Sequence, residues 1–178
     1  MGQVVFFALC LLGCFVFGLS DTPGEDAGDE DVAARYYCPP GAIYIRGNCY
    51  EFFRNSISWD LAEAQCQNLR HRSHLASFSS MREEKLVSAY IKRFSTTNYV
   101  WIGLNAMPNV NKLMWEWSDR SPYISGSPLW DNRSPSTTIS SSECLLLTNV
   151  QSPSSSTRWM QQSCYSSYPY VCKYTAFN

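Results

Sequence analysis

The chain has 178 residues, 45% hydrophobic and 15% aromatic, with eight cysteines and 14 Lys plus Arg against 15 Asp plus Glu for a net charge of -1. That length suits one domain with a tail, and the apolar share is enough to build a core. A 16% charged fraction with no basic excess excludes a disordered chain and a strongly basic nucleic-acid binder.

Val4 to Leu19 is a run of sixteen uncharged, mostly apolar residues. A membrane-spanning helix needs about 20 apolar residues with polar flanks. This run is shorter and starts at the fourth residue, so residues 1–20 read as a signal peptide, with no transmembrane segment expected and a secreted, extracellular product. Gly18 and Ser20 place small side chains at the -3 and -1 positions of a Ser20/Asp21 cleavage. Cys10 and Cys14 leave with it, and Cys38, Cys49, Cys66, Cys144, Cys164 and Cys172 remain. With an oxidising exterior and no CxxC pair, these six are bridged rather than metal-bound, and parity alone leaves about fifteen pairings.

Residues 21–35 carry six acids against Arg35 alone, a charge of -5, with almost no apolar side chain. Such a segment buries too little to offset the entropy of ordering, and it reads as an acidic disordered tail or pro-segment. Residues 36–178 hold 13 basic and nine acidic side chains, or +4. Arg35–Tyr36 is the exposed trypsin-like bond between the two parts.

The folded part opens with Ile43 to Arg46 and Cys49 to Phe53 as a hairpin around Gly47-Asn48, whose turn needs positive φ. Ser58 then N-caps a helix with Trp59, Ala62, Cys66 and Leu69 on one face, which points Cys66 at the core. Ser80 and Glu83 have capping-box spacing and open a second helix, with Leu86, Val87, Tyr90, Ile91 and Phe94 on its buried side. Strands follow at Tyr99 to Leu104, Leu113 to Ser118, Glu143 to Thr148, Arg158 to Cys164 and Tyr170 to Tyr174, separated by Ser- and Pro-rich loops. Two helices and then a strand-rich half give an α+β domain.

Trp101-Ile102-Gly103-Leu104 and Trp115-Glu116-Trp117-Ser118-Asp119 resemble the C-type lectin-like domain. So do Gly47-Asn48-Cys49-Tyr50, His74-Leu75-Ala76-Ser77, Trp159 before Cys164, and Tyr170-Val171-Cys172-Lys173, all in the family's order. The resemblance implies the long form of that fold, with two helices, small antiparallel sheets, long loops and three disulfides: Cys38–Cys49, Cys66–Cys172 and Cys144–Cys164. Within the family the chain is similar to the regenerating-islet, or pancreatic-stone-protein, group and to the avian eggshell-matrix lectin-like proteins. The former implies a pro-segment ending at Arg35 that masks a basic face until it is cut.

Family lectins hold sugar through Ca²⁺, which wants roughly six to eight oxygen ligands, several of them anionic. The positions that the resemblance assigns to those ligands read Ser134-Pro135-Ser136, then Ser142 two residues before Cys144, then Met160 and Gln161 after Trp159. None is a carboxylate, and Asp131 and Glu143 are neighbours rather than replacements. Ca²⁺ is therefore not expected as a cofactor. The densest basic stretch, Arg70-His71-Arg72-Ser73-His74 with Arg82 beyond it, is a candidate anion-binding surface or a solvated loop. The two histidines lack the further ligands that zinc needs, so no metal site is expected. Tyr165, Tyr168 and Tyr170 are candidate stacking surfaces for sugar.

No Ser/His/Asp set, phosphate loop or paired carboxylates appear, which points away from an enzyme. The expectation is a Ca²⁺-independent binding protein whose partner is carbohydrate or an anionic surface (microbial wall, membrane or mineral), with oligomeric state left open. Two other readings are a mineral-associated matrix protein that binds calcium carbonate and a true Ca²⁺-dependent lectin.

Overall fold

Alternating burial along the central strands organises the molecule: Leu145, Leu147, Ile102 and Val171 pack on one face of the sheet, and Leu146, Trp101, Tyr170 and Cys172 on the other. Successive strand side chains point to opposite faces. A strand buried on both faces reads as a continuous apolar run, as in Cys144-Leu145-Leu146-Leu147. The computed structural model describes residues 35–109, 112–124, 143–153 and 156–178, all within the unit Ala34–Asn178. Ser20 and the rest of 1–34, and also Ser134, Pro135, Ser136 and Ser142, lie outside the described residues.

The elements run β1 (Ile43–Ile45), β2 (Asn48–Ile57), α1 (Trp59–Leu69), β3 (His74–Leu75), α2 (Met81–Lys92), β4 (Val100–Asn109), β5 (Lys112–Trp117), β6 (Glu143–Thr148), β7 (Arg158–Ser163) and β8 (Tyr168–Thr175). The sheet order is β1-β2-β8-β4-β6-β7, with β3 beside β8 and β5 beside β4. Among the described residues the pairings are antiparallel except where Trp101 of β4 and Tyr170 of β8 meet in parallel, which links the two halves of the one sheet. α1 covers one face through Trp59, Ala62 and Cys66, and α2 the other through Val87, Tyr90 and Ile91.

The three bridges are Cys38–Cys49, Cys66–Cys172 and Cys144–Cys164, with Cα separations of 5.6, 5.4 and 5.0 Å, in the connectivity that the resemblance implies. Cys66–Cys172 spans 106 residues and ties α1 to β8. Closing so long a loop limits the unfolded chain most, so this bridge contributes roughly 5 kcal/mol on the chain-entropy account. Gly103 sits where chains crowd. A Cβ there would come within 2.5 Å of the Leu75 carbonyl oxygen and 2.9 Å of Ser118 Oγ, so only glycine lets β4 approach β3 this closely.

Local details depart from the sequence expectation. The hairpin turn is Arg46-Gly47, both at positive φ (49° and 82°), and Asn48 already pairs with Ile45 in β2. A two-residue loop with both residues at positive φ matches the strands' right-handed twist. Leu86 and Phe94 are exposed rather than core. Leu86 lies about 100° around the helix from Val87. Phe94 follows the last turn and packs edge-on against Tyr90 at 5.2 Å. Ser58 precedes α1 but makes no side-chain capping bond.

Candidate functional site

The family's sugar-site positions that the structure describes are on β7. Register sets Met160 opposite Leu146 and Gln161 opposite Leu145. Trp159, one residue earlier, is buried and meets Trp117 edge-on at 5.7 Å. Alternation then turns Met160 to the surface. A thioether and a neutral amide offer no anionic oxygen to offset the dehydration of Ca²⁺.

The basic stretch follows α1, and the fold separates its members by what they touch. Arg70 caps the helix and lies 5.2 Å from the centre of the Phe177 ring. His71 and Arg72 are exposed in the turn, with Arg72 at positive φ. His74 is engaged: its Nδ1 is 2.6 Å from Glu63 Oε1, which also accepts from Gln67 Nε2 at 2.7 Å. The other Glu63 oxygen accepts the Leu75 N–H at 2.8 Å. Thus Glu63 anchors β3 to α1, and His74 serves that bond. Arg82 is exposed in the first turn of α2. Of the three tyrosines, Tyr165 is open to solvent, Tyr168 packs edge-on against Trp101 at 5.1 Å, and Tyr170 is buried against Phe53. Tyr170 is therefore core, because it stands at the parallel junction of β4 and β8.

A polar cleft of about 550 Å³ opens between α1 and the β4–β5 hairpin. Two buried oxygens that border it, Asn105 Oδ1 and Ser118 Oγ, have no hydrogen-bond partner among the described residues, while Glu116 and Arg120 stand at its edge. Unpaired buried oxygens are uncommon, since each forgoes about 1–3 kcal/mol of lost solvation. A cleft of this kind suits a neutral, hydroxyl-rich ligand.

Two glutamates of α2 form the strongest electrostatic features. Glu83 Oε2 accepts the Ser79 N–H at 2.7 Å and Ser79 Oγ at 2.6 Å; its Oε1 accepts the Tyr50 hydroxyl and faces Lys173 Nζ at 3.2 Å. Burial pushes this carboxyl up, but the bonds from Ser79 and Tyr50 and the Lys173 charge outweigh it and leave the pKa below the usual range. Tyr50 is raised, first by burial and then by its bond to Glu83. Glu84 moves the other way: burial dominates, against hydrogen bonds from Ser88 and Thr157 and the charges of Lys85 and Arg158. Sequence spacing found Glu83 only as a cap residue. Its partners Tyr50 and Lys173 come from β2 and β8, 33 and 90 residues away.

The Lectin C-type domain family matches residues 55–174. Regenerating islet-derived protein 3-gamma of Rattus norvegicus is 37% identical over 165 residues, covering 89% of this chain and 88% of its own. Human lithostathine superposes with a TM-score of 0.63 at 30% identity, over 78% of this chain and 99% of its own. A calcium-independent type II antifreeze protein superposes with a TM-score of 0.62 at 28% identity, over 82% and 99%. The chain therefore belongs to the C-type lectin family, among the regenerating islet-derived and lithostathine proteins.

Proposed function

We propose that this secreted member of the family is a non-enzymatic binding protein that recognises glycan, or an anionic microbial or membrane surface, without Ca²⁺. One observation carries the reading: within a complete framework of helices, strands and bridges, the five side chains at the family's ligand positions, Ser134, Ser136, Ser142, Met160 and Gln161, bring no carboxylate. Binding then has to use groups that need no metal. The polar cleft of Asn105 and Ser118 offers hydrogen bonds to a neutral sugar, and the exposed Arg72 and Arg82 offer positive charge to an anionic surface, with the exposed His71 ring beside Arg72. A calcium-independent structural neighbour is consistent with this chemistry.

The proposal extends to the chain's organisation. Residues 1–20 are removed on secretion, and residues 21–35, at -5, offset the charge of a domain at +4 and so mask its attraction to anions until cleavage after Arg35. Arg35 is exposed, and two residues on, Tyr37 exchanges backbone hydrogen bonds with Phe177 at 2.9 and 3.0 Å. One experiment tests both parts: co-sedimentation of the secreted chain with anionic liposomes, before and after trypsin, with Ca²⁺ or with a chelator. Binding should rise after trypsin and be indifferent to Ca²⁺. No rise would sink the masking, and a clear Ca²⁺ requirement would overturn the metal-free reading.

A further inference from the structure

Glu84, only 1% exposed, lines a second cleft of about 400 Å³ where α2 meets the start of β7. Its Oε1 accepts Ser88 Oγ at 2.6 Å and Thr157 Oγ1 at 2.5 Å. Its Oε2 is buried and has no partner among the described residues. The same cleft is bordered by two cations, Lys85 and Arg158, and by the hydroxyl of Ser156. The charged groups acting on Glu84 are these two, one from α2 and one from β7.

The combination is selective. Two cations and several hydroxyls attract an oxyanion, but an ionised carboxylate oxygen can only accept a hydrogen bond. An anion that sits beside it must bring its own proton. Inorganic phosphate carries one at pH 7, and a monoester, whose second pKa is about 6, keeps or regains its proton there when the site holds it. Sulfate carries no proton at any ordinary pH.

We infer that this cleft binds a protonated phosphate, inorganic or a monoester, whose P–O–H donates to Glu84 Oε2 while Lys85 and Arg158 neutralise its remaining oxygens. The site shares no residue with the sugar positions on β7 or with the turn after α1, and it does not rest on the proposed metal-free function. Acid changes its selectivity in a definite direction. Burial holds the Glu84 carboxyl above its ordinary range, so on acidification the protein supplies the proton and an unprotonated oxyanion becomes acceptable.

The test is titration of the full chain, followed by NMR, with sodium phosphate, glycerol 3-phosphate and sodium sulfate at pH 7 and at pH 4.5. At pH 7 phosphate should bind about tenfold more tightly than sulfate, and at pH 4.5 the ratio should shrink. Glu84→Gln places an amide donor at Oε2 and should remove the preference at both pH values by strengthening sulfate binding. A merely structural glutamate would not give that gain. Arg158→Ala should weaken both anions, and Lys85→Gln supplies the same readout if Arg158→Ala does not fold. Vesicles of phosphatidate, a monoester, compared with phosphatidylglycerol, a diester, distinguish the source. Retention on the first alone identifies a lipid headgroup; retention on neither, with glycerol 3-phosphate bound, identifies a free monoester. Equal, weak binding of phosphate and sulfate that Glu84→Gln leaves unchanged would overturn the site.

Discussion

Glu83 and Glu84 are consecutive residues in the first turn of α2, 4% and 1% exposed, yet the first has its carboxyl pKa lowered and the second raised. Both sit in the favourable field of the helix N-terminus, and both lose water. Neither burial nor helix position separates them; their partners do. Glu83 faces β2 and β8, and the Tyr50 hydroxyl and Lys173 ammonium from those strands, with the hydroxyl and N–H of Ser79 just ahead of α2, occupy both oxygens. Glu84 faces the start of β7; the hydroxyls of Ser88 on its own helix and of Thr157 just before β7 share Oε1, and Oε2 has no partner among the described residues. A completed network braces the fold, and an incomplete one leaves chemistry available to a ligand.

The contrast breaks most sharply if Glu83 loses its counter-charge. Lys173 also donates to the Ser77 carbonyl at 3.0 Å and to Ser77 Oγ at 3.2 Å, and lies 5.6 Å from the centre of the Tyr50 ring, so it ties β8 to the segment ahead of α2 and to β2. Lys173→Ala leaves a buried carboxylate uncompensated and should lower the unfolding free energy by about 3–5 kcal/mol. Denaturant unfolding with disulfides intact measures it. A loss below about 1 kcal/mol would mean that the hydroxyl and N–H donors alone stabilise the charge.

Glu83→Gln keeps the shape and removes the charge. At pH 7 it should cost about 2 kcal/mol. The native carboxyl lies below an unfolded value near about 4.3, so its contribution is present above that pH and disappears as pH falls through the folded value. Stability measured from pH 7 down to pH 2 should therefore fall for the native chain and fall less for Glu83→Gln. Parallel curves would show that Glu83 is not the acid-sensitive group.

Much of this framework can be read from the sequence, because it rests on local period and fixed spacing. Ser80 three residues before Glu83 marks the start of α2, and Ser80 Oγ does accept the Glu83 N–H at 3.2 Å. Val87, Tyr90 and Ile91 follow from helical spacing, and Cys144 to Leu147 from a continuous apolar run. The site chemistry is less legible. The return bond of the capping box goes to the Ser79 N–H instead of Ser80, a one-residue offset that turns on backbone geometry. Tyr50 and Lys173 reach Glu83 from distant strands and Thr157 reaches Glu84 from just ahead of β7, and nothing in their own neighbourhoods marks them as partners. The engagement of His74 by Glu63, eleven residues earlier, was likewise hidden, and the basic stretch looked freer than it is.

Glu84 gives the smallest effect and the clearest sign. Its folded pKa lies above the unfolded one, so the native state binds the extra proton between the two values. The stability due to this group is full below about 4.3 and is lost as pH rises through the folded value, opposite to Glu83. Glu84→Gln cannot ionise, so it should escape that loss. Near neutral pH its unfolding free energy should match or exceed the native chain's by less than about 1 kcal/mol, since the amide still accepts from Ser88 and Thr157. Below about pH 4 any advantage should vanish. Denaturant unfolding across the same pH series decides it, and a loss of more than about 2 kcal/mol at neutral pH would place Glu84 with Glu83 as a completed brace. The two neighbours would then differ in partners but not in role, because a buried carboxylate contributes stability only when its bonds outweigh the water it has given up.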